Sequence, residues 1–404
     1  MFSKVTRIVF IVLITAALGV QAVPPVISVV KEASDGKEPV SIQVSCSGGA
    51  AGLFLKTLQD DLVRSGWFSC GVNKYADFKI TGSAQGNSSA LRTAIRVTWS
   101  GGSLNWSETS STLREARWQA HRLNDTIVRR FKNRDGMAAS RIAFIGKGDR
   151  SGDVFLCDSD GAGLIRLTSD NVPCLSPYWH PNGLFIFYTS FLKKYACVYR
   201  VPAAGGARHA LASFPGLNTG GAVSPDGTLI AIILSHPGNP ELYVLNLTTR
   251  KATRLTRTPH AVEASPCWSP DGRQMAYVSD ETGSPQIYVM DSDSGQSRRI
   301  SFGGSQNVAP SWGPDGRLVF CSKRSGYQIV VFDPSDGRTT VLTSGPDHED
   351  PSWAPDGRHV ICSRSEGWGR HSLVMLDTMG DPPVRFPMKL SDCRAPEWSP
   401  LIVQ

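Results

Sequence analysis

From residue 141 onwards, short apolar runs alternate with polar turns along the chain. Residues 274–279 (QMAYVS) and 286–291 (QIYVMD) have the length and the β-branched and aromatic content of strands. An Asp-Gly turn at 271–272 precedes the first of them, and a turn at 293–295 leads into a shorter third strand at 298–301. Asp-Gly between two strands favours a hairpin, because both residues tolerate positive φ. This order of strands and turns predicts an all-β region.

One segment of this pattern recurs six times. It ends in Ser-Pro-Asp-Gly or a variant, and its proline falls at Pro181, Pro225, Pro270, Pro314, Pro355 and Pro400. A tryptophan precedes the proline in all copies but one, at Trp179, Trp268, Trp312, Trp353 and Trp398, with Val223 as the exception. Four strands in about 40–45 residues is the size of a propeller blade. A large ring at a fixed place in each blade indicates packing between neighbouring blades. The sequence therefore predicts a six-bladed β-propeller over residues 141–404, a mainly β fold.

The two ends of the repeat indicate how the ring closes. The first copy begins at 141–145 (RIAFI) with no tryptophan strand before it, and the last tryptophan strand, 396–400, stops where its hairpin partner would begin. We therefore expect one blade to be assembled from both ends, with the C-terminal strand innermost and residues 141–168 supplying the other three strands. Such closure covers sheet edges that would otherwise invite aggregation.

Residues 40–138 predict a small α/β domain before the ring. Residues 40–46, 78–80 and 91–99 alternate like strands, and residues 51–65 have apolar positions at helical spacing. A second helix is predicted from an apolar stripe made of Leu113, Ala116, Ala120, Leu123, Ile127 and Phe131. We interpret this stripe as the core of the domain.

The first 39 residues predict an export signal and a tail. Lys4 and Arg7 precede an apolar run at 8–20, and residues 20–22 (VQA) fit a small-residue cleavage site. Residues 1–22 are therefore a predicted signal peptide, cleaved to leave a mature chain that begins at Val23. An uncleaved anchor is the alternative, but the run is short for a span of ~20 residues. Residues 23–39 contain three prolines and predict a flexible tail, either a spacer or a partner-binding segment.

Charge disfavours a nucleic-acid-binding protein. The formal net charge of +7 lies almost entirely before residue 140, so the predicted propeller is near neutral. Nucleic-acid recognition needs a concentrated basic face, and only residues 114–134 come close, on the solvated side of a predicted helix. After the signal, no segment is long and apolar enough to predict membrane insertion.

The nine cysteines leave their pairing open. Export makes disulfides possible, and an odd number requires at least one thiol without a partner in the chain. Cys46 and Cys70 flank the first predicted helix and form one candidate pair. Cys174 and Cys393 occupy equivalent loops of adjacent blades and form another, which would lock the ring closure. Inner strands that are neighbours around the ring can be further apart than the ~7 Å Cα limit for a disulfide, so free thiols are the alternative.

Taken together, the signal, the small α/β domain and the six repeats resemble the TolB family of the Tol-Pal envelope system. The resemblance extends over essentially the whole mature chain and is carried by residues 60–68 (DDLVRSGWF), 212–215 (ASFP), 304–307 (GSQN) and 396–400 (PEWSP). It implies a non-catalytic periplasmic protein without a cofactor. Such proteins bind the lipoprotein Pal at one propeller mouth and the inner-membrane protein TolA through their N-terminus, and they support envelope integrity and outer-membrane constriction in cell division.

The resemblance and the blade pattern together name candidate partner-binding residues. Those for a Pal-like mouth lie in the loops that lead into the tryptophan strands: Asn218, Thr219, Glu263, Gln306, Asn307, His348, Glu349 and Asp350. Those for a TolA-like contact lie in the tail: Val23, Val26, Ile27, Val29 and Val30. Ordinary solvated loop residues are the alternative interpretation of the first set. The chain departs from the family pattern in a shorter N-terminal domain, in an unmatched tail and at Leu217, where the family often has a polar residue.

The main alternative is an exported propeller enzyme, a lyase or a hydrolase acting from the central channel. Peptidases with a propeller carry a Gly-x-Ser-x-Gly elbow in a separate hydrolase domain, and the sequence contains neither that pentapeptide nor His-Glu-x-x-His. His348 and Glu349 are two adjacent potential metal ligands, but the sequence has no further ligands at a spacing typical of metal sites. We therefore expect no metal site. A channel enzyme would need titratable groups that converge with perturbed pKa values. A glycan-binding module is disfavoured, because no aromatic platform stands out beyond the repeat positions.

Overall fold

A computed structural model describes residues 36–70, 76–87, 90–147, 152–236 and 238–401. The predicted signal peptide (1–22) and the tail candidates Val23, Val26, Ile27, Val29 and Val30 lie outside the described residues. From Lys37 onwards the chain forms one compact unit. Within the described ranges, neither helix has both the length and the hydropathy needed to cross a bilayer.

A five-stranded sheet with two helices forms the N-terminal domain. Its elements are β1 (Glu38–Ser47), α1 (Gly49–Arg64), β2 (Phe68–Cys70), β3 (Phe78–Gly86), β4 (Leu91–Trp99), β5 (Gly102–Ser110) and α2 (Leu113–Lys132). The strand order is β2-β1-β3-β4-β5, and β1 is parallel to both of its neighbours. The predicted α/β class is confirmed, while β2 and β5 were not predicted.

Local signals fix both ends of α2. The Thr112 hydroxyl accepts a hydrogen bond from the Glu115 N–H (3.1 Å), and the Glu115 carboxylate accepts one from the Ser111 N–H (2.7 Å), which forms a capping box. Asn133 ends the helix in the left-handed conformation at φ 51. The predicted stripe packs on α1 in the domain core through Ala116, Ala120, Leu123 and Ile127. Leu113 is exposed instead, because it is the first residue of the helix.

The propeller is built from four-stranded antiparallel sheets. The first blade contains β6 (Arg141–Lys147), β7 (Gly152–Asp158) and β8 (Ile165–Arg166). The second contains β9 (Cys174–Trp179), β10 (Phe185–Ser190), β11 (Cys197–Pro202) and β12 (His209–Ala212). The third contains β13 (Asn218–Val223), β14 (Leu229–Leu234), β15 (Glu241–Asn246) and β16 (Ala252–Arg254).

The remaining blades repeat this order. The fourth contains β17 (Glu263–Trp268), β18 (Gln274–Ser279), β19 (Gln286–Asp291) and β20 (Ser297–Arg299). The fifth contains β21 (Gln306–Trp312), β22 (Leu318–Lys323), β23 (Tyr327–Phe332) and β24 (Thr339–Val341). The sixth contains β25 (His348–Trp353), β26 (His359–Ser365), β27 (His371–Asp377) and β28 (Val384–Arg385). The last strand is β29 (Cys393–Trp398).

The last strand completes the first blade, which confirms the predicted closure. β29 pairs antiparallel with β6, with Trp398 opposite Ile142 and Cys393 opposite Gly146. Ser399 and Arg141 exchange two further hydrogen bonds of 2.8 Å each, one from the Ser399 N–H and one to the Ser399 hydroxyl. The predicted number of blades, six, is confirmed with it.

The repeated tryptophans pack where neighbouring blades meet, as predicted. Trp353 of β25 shares a core with Val319 and Val331 of the fifth blade. Trp398 shares one with Ile361 of the sixth blade. Each ring therefore fills the wedge between two twisted sheets, and that packing explains its recurrence at one place in the blade.

The N-terminal domain packs on one end of the propeller, the end formed by the turns that follow the first and third strands of each blade. Arg117 of α2 bonds Asp158 and Asp160 in the first blade, with N–O distances of 3.2 and 2.5 Å. Lys37 bonds Asp381 in the sixth blade at 2.8 Å. The opposite end of the ring, which we call the free mouth, is formed by the loops that precede the innermost strands and by those that join the second and third strands.

Neither candidate disulfide is present, and all nine cysteines are free thiols. Cys70 lies opposite Val40, and Cys46 is six residues further along β1, about 20 Å away at ~3.3 Å per residue, which is too far for a bond. Cys174 packs in the core between the first and second blades, whereas Cys393 packs in the core between the sixth and first. The sheet of the first blade therefore separates the second pair.

Candidate functional site

The innermost strands of the six blades enclose a central channel. We call β9, β13, β17, β21, β25 and β29 the inner strands. A cavity of ≈ 480 Å³ lies between them, and its lining includes the six repeated prolines and Asp135 of the N-terminal domain. The cavity therefore occupies the half of the channel nearer that domain.

Every inner strand carries a β-bulge at the same position. The register with the second strand shifts there in the five complete blades and again between β29 and β6. The bulged residue, five positions before the repeated proline, has positive φ in each case: Ser176 (45), Gly220 (90), Ser265 (48), Ala309 (51), Asp350 (51) and Ala395 (48). Bulges re-aim side chains, and here they mark the boundary between the channel cavity and the free mouth.

On the cavity side of the bulges, five of the six inner strands contribute a polar or thiol side chain to the channel wall. Its lining includes Tyr178, Cys267, Ser311, Ser352 and Glu397, one from each of five inner strands. Burial raises the pKa of Glu397 to about 8, and its hydrogen bond with Ser352 acts in the opposite direction. Burial also raises the pKa values of Tyr178 and Cys267, and the nearby charge of Glu397 adds to both shifts. The channel thus holds a carboxyl that is protonated near neutral pH.

Four of the eight predicted mouth residues are buried and bonded within the chain: Asn218, Glu263, Asn307 and His348. All four lie seven positions before a repeated proline. The Asn218 amide donates to the carbonyls of Phe214 (2.8 Å) and Ala196 (3.0 Å), and its oxygen accepts from the Phe214 N–H (2.9 Å). These contacts fix the loop that precedes the strand, so the side chain shapes the mouth from within.

Asn307 and His348 have the same role in their own blades. The Asn307 amide donates to Gln286 Oε1 (2.7 Å) and to the Gly303 carbonyl (2.8 Å). His348 Nδ1 lies 2.8 Å from the Pro346 carbonyl oxygen. Burial lowers the pKa of His348, and the bond to Pro346 acts against that shift.

Glu263 belongs to a buried pair of carboxyl groups at the mouth. Glu241 Oε1 accepts from Arg254 (2.7 Å) and from the Thr258 N–H (2.8 Å), and the Thr258 hydroxyl lies 3.3 Å from both Glu263 oxygens. Burial and then the charge of Glu241 raise the pKa of Glu263 to about 7. Since Arg254 neutralises Glu241, the proton is held on Glu263.

The other four predicted mouth residues, Thr219, Gln306, Glu349 and Asp350, are partly exposed. Gln306 accepts a hydrogen bond from the Tyr327 hydroxyl (2.7 Å). Burial and the charge of Asp350 raise the pKa of Glu349. Burial also raises the pKa of Asp350, and the charges of His371 and Arg394 oppose that shift. Their contact with a partner remains a prediction.

The free mouth also exposes apolar side chains that the sequence analysis did not select: Leu175, Leu192, Tyr195, Leu217, Val262, Phe302 and Trp368. Phe302 is 79% exposed and Trp368 is 97% exposed. The sequence contained one usable signal, since Gly367-Trp368-Gly369 places a tryptophan in a turn and outside the repeat positions. In the described parts of the chain, no three or more His, Cys, Asp or Glu side chains are grouped so as to hold a metal ion.

Matches named TolB occur in all three comparisons with known proteins. A family model described as the TolB beta propeller domain matches residues 128–402. The Tol-Pal system protein TolB of Francisella tularensis subsp. tularensis (strain WY96-3418) is 28% identical over 300 residues, which cover 70% of this chain and 68% of that protein. The protein of the same name from Anaeromyxobacter dehalogenans (strain 2CP-1) is 36% identical over 154 residues, 38% of this chain and 35% of that one. The crystal structure of TolB from Acinetobacter baumannii is 26% identical with a TM-score of 0.79, and the match covers 91% of this chain and 97% of that chain.

Proposed function

The chain belongs to the TolB β-propeller domain family, and from this premise we propose that it is a non-catalytic, protein-binding component of a Tol-Pal system. Two similarities support the proposal: a relative named as a Tol-Pal system protein matches 70% of the chain, and the crystal structure of a TolB protein matches 91% of it. By the same similarity it is a periplasmic protein of a Gram-negative cell that supports envelope integrity and outer-membrane constriction in division.

The free mouth is the proposed site for a Pal-like lipoprotein. It combines partly exposed polar groups, Thr219, Gln306, Glu349 and Asp350, with an apolar set that includes Leu217 and Phe302. Interfaces of this kind have an apolar centre and a polar rim. The N-terminal domain packs on the opposite end, so it leaves this surface open. The buried residues Asn218, Glu263, Asn307 and His348 act indirectly, because they hold the loops that present it.

Two exposed leucines at opposite ends of the ring provide a matched test of this site. Leu217 lies at the free mouth and Leu164 lies at the other end, and they are 36% and 42% exposed. Leu217→Asp is expected to weaken binding of the soluble domain of the Pal-like lipoprotein from the same genome by about tenfold, as loss of a buried apolar contact would. Leu164→Asp is expected to leave the Kd unchanged. Equal effects of the two substitutions, measured by calorimetry, would exclude the free mouth.

The tail residues Val23, Val26, Ile27, Val29 and Val30 are the proposed contact for a TolA-like protein. Deletion of residues 23–35 is expected to abolish capture of the TolA-like periplasmic domain and to leave binding of the Pal-like domain intact. Retained capture of the TolA-like domain by the shortened protein would remove this part of the proposal.

A channel enzyme, a lyase or hydrolase, is the competing function, and one observation favours it. Glu397 has its pKa raised to about 8 inside a ≈ 480 Å³ cavity, as a general acid requires. The test is to incubate envelope polysaccharides and peptides with the pure wild-type protein and with Glu397→Gln and to measure their turnover. Turnover that is lost in Glu397→Gln would favour the enzyme, and binding of the Pal-like domain without turnover would favour the scaffold.

A further inference from the structure

Trp368 occupies an exposed turn of the sixth blade. It lies between β26 and β27, where Gly367, Trp368 and Gly369 are successively left-handed at φ 76, 55 and 69. The turn is closed by hydrogen bonds from the Glu366 N–H to the Arg370 carbonyl (2.9 Å) and from the Arg370 N–H to the Gly367 carbonyl (3.1 Å). Positive φ is an outlier for a bulky residue. A strained backbone that presents an indole 97% exposed to water points to a function outside the fold.

A pocket of ≈ 210 Å³ lies beside this turn. Its walls are the segment 366–372 and the loop that leads into β29, and its lining includes the buried side chains of Phe386 and Cys393 together with Met388 and Leu390. The lining is therefore mixed, with an apolar part formed by Phe386, Met388 and Leu390. The pocket is large enough for one or two side chains and too small for a folded domain, so its ligand is a projecting segment.

The rim of the pocket carries a surplus of positive charge. Arg370 and Arg385 line it and are exposed, and Arg364 lies close by. One carboxylate faces them, Glu366, which lies 3.5 Å from Arg364 Nη1 and 3.5 Å from Arg385 Nη2 and accepts a 2.5 Å hydrogen bond from Ser372. His371 and Asp392 pair with each other at 3.0 Å. Three guanidinium groups therefore face one carboxylate, which Arg364 and Arg385 share. This surplus favours an anionic ligand, and arginine binds carboxylates in a bidentate manner.

We propose that the Trp368 turn and this pocket bind a protein segment in which an apolar side chain is flanked by carboxylates. The apolar side chain enters the pocket, the indole covers it, and the arginines bind the flanking carboxylates. The proposal rests on the proposed function, because it names the chemistry of a partner segment at the free mouth. Tryptophan and arginine are residue types enriched among those that carry most binding energy at interfaces. Here Trp368 lies in the turn between Glu366 and Arg370, which both line the pocket.

The test uses the full mature protein and a fluorescein-labelled peptide, Gly-Ser-Asp-Leu-Asp-Phe-Gly-Ser, followed by fluorescence anisotropy. A second peptide with lysine in place of both aspartates is the charge control. The wild type is expected to bind the acidic peptide at least tenfold more tightly than the basic one, and added salt is expected to weaken binding. Trp368→Ala and Arg370→Glu are each expected to raise the Kd by about tenfold. Met379→Ala is the matched control, because it removes a 64% exposed apolar side chain from the opposite end of the same blade. It is expected to leave the Kd of the peptide unchanged.

The proposal is overturned by equal affinity of the wild type and Trp368→Ala, by equal affinity for both peptides, or by no binding of the acidic peptide at about 1 mM, a concentration at which even a weak interface binds. Phosphatidylglycerol vesicles and a soluble anionic saccharide serve as further probes, and capture of either through Trp368 in place of the peptide also overturns it. Circular dichroism of each variant shows that the fold is retained.

The Pal-like domain is measured in the same assay, so the two proposals fail separately. If that domain does not bind the wild type, the proposed function fails, whereas the peptide still decides the pocket. If the domain binds and the peptide shows no dependence on Trp368, the pocket assignment alone is wrong.

Discussion

The guanidinium of Arg358, in the sixth blade, lies 4.5 Å from the ring centroid of Trp67, in the N-terminal domain. Its Nε donates to Asp377 Oδ2 at 2.8 Å. Gly66, with φ 72, passes so close that a Cβ at that position would meet the guanidinium at 2.3 Å. One buried cation therefore stacks on one domain while it is paired with a carboxylate of the other.

Arg358→Ala is expected to destabilise the protein by about 2 kcal/mol, because it removes the stack on Trp67 and one of the two cationic partners of the buried Asp377, which keeps His359 at 3.4 Å. Urea unfolding followed by tryptophan fluorescence measures the loss. Limited proteolysis is expected to cut between residues 133 and 141 sooner than in the wild type, since the two domains lose a contact.

Arg317→Ala is the control for that substitution. Arg317 also lies over a tryptophan, Trp353, at 4.9 Å, but both belong to the propeller. The variant is expected to lose about 1 kcal/mol and to keep the wild-type cleavage pattern. The same faster cleavage in both variants would show that stacking in general, and not the domain contact, is responsible.

His359 is expected to make stability depend on pH above neutrality. Burial alone would lower its pKa, but the charge of Asp356, 2.6 Å from Nδ1, and the bond to Asp377 raise the pKa to about 9. A raised histidine pKa contributes stability that is full below about 6.5 and is lost as pH rises through about 9. His359→Gln is therefore expected to cost about 2 kcal/mol more at pH 6 than at pH 10. A constant difference between the two unfolding curves would contradict the charged His359–Asp356 pair.

Glu397 is expected to lower the free energy of unfolding as the pH rises, whereas a salt-bridged surface carboxylate raises it. Because burial raises its pKa to about 8, the folded chain holds a proton that the unfolded chain releases near pH 4.5. Its contribution is therefore present below about 4.5 and is lost as pH rises through 8. Glu397→Gln is expected to match the wild type at pH 4.5 and to be about 2 kcal/mol more stable at pH 9. Thermal unfolding over this range checks the prediction, and lower stability of the variant at pH 9 would show that the carboxylate is stabilised in the channel.

The closing strand β29 is expected to be essential for a folded, soluble propeller. Truncation before Cys393 removes β29, exposes the edge of β6 and uncovers the apolar cores on both sides of the first blade. An open edge beside exposed apolar surface promotes association, so the truncated chain is expected to aggregate. A matched truncation after Pro400, which keeps the whole strand, is expected to stay monomeric in size-exclusion chromatography. A monomeric, fully folded product of the first truncation would mean that closure is dispensable.

The ring was predictable because its physics repeats. The same proline, tryptophan and Asp-Gly turn recur in the sequence, and the tryptophan packs in the same way in each blade. A strand that is hard to predict in one repeat can therefore be predicted from the others. The closure followed from where the pattern starts and stops. β2 and β5 were missed because each occurs once, and β5 is so polar that its alternation does not reveal a buried face.

The mouth was predicted less well, for a reason visible at Asn218 and Trp368. A polar residue at the start of a strand has no local sign of whether it meets water or the neighbouring loop, and Asn218 turns inward to three carbonyls. The available clue was its position, seven residues before the repeated proline, because a residue at a fixed place in every repeat usually has a structural role. Trp368 was missed for the converse reason, because it breaks the period.

The bulges offer a last test, on Ala309 of β21. This residue has φ 51, where a side chain costs about 1–2 kcal/mol that glycine does not, while glycine adds about 0.5–1 kcal/mol of entropy to be lost on folding. Ala309→Gly is therefore expected to raise the free energy of unfolding by about 0.5 kcal/mol. Ala264, partly buried in the neighbouring inner strand just before its bulge, is the matched control, and Ala264→Gly is expected to lower the free energy by about 1 kcal/mol. Since the third blade already has Gly220 at the bulge, equal losses in both variants would show that the bulged conformation is not strained.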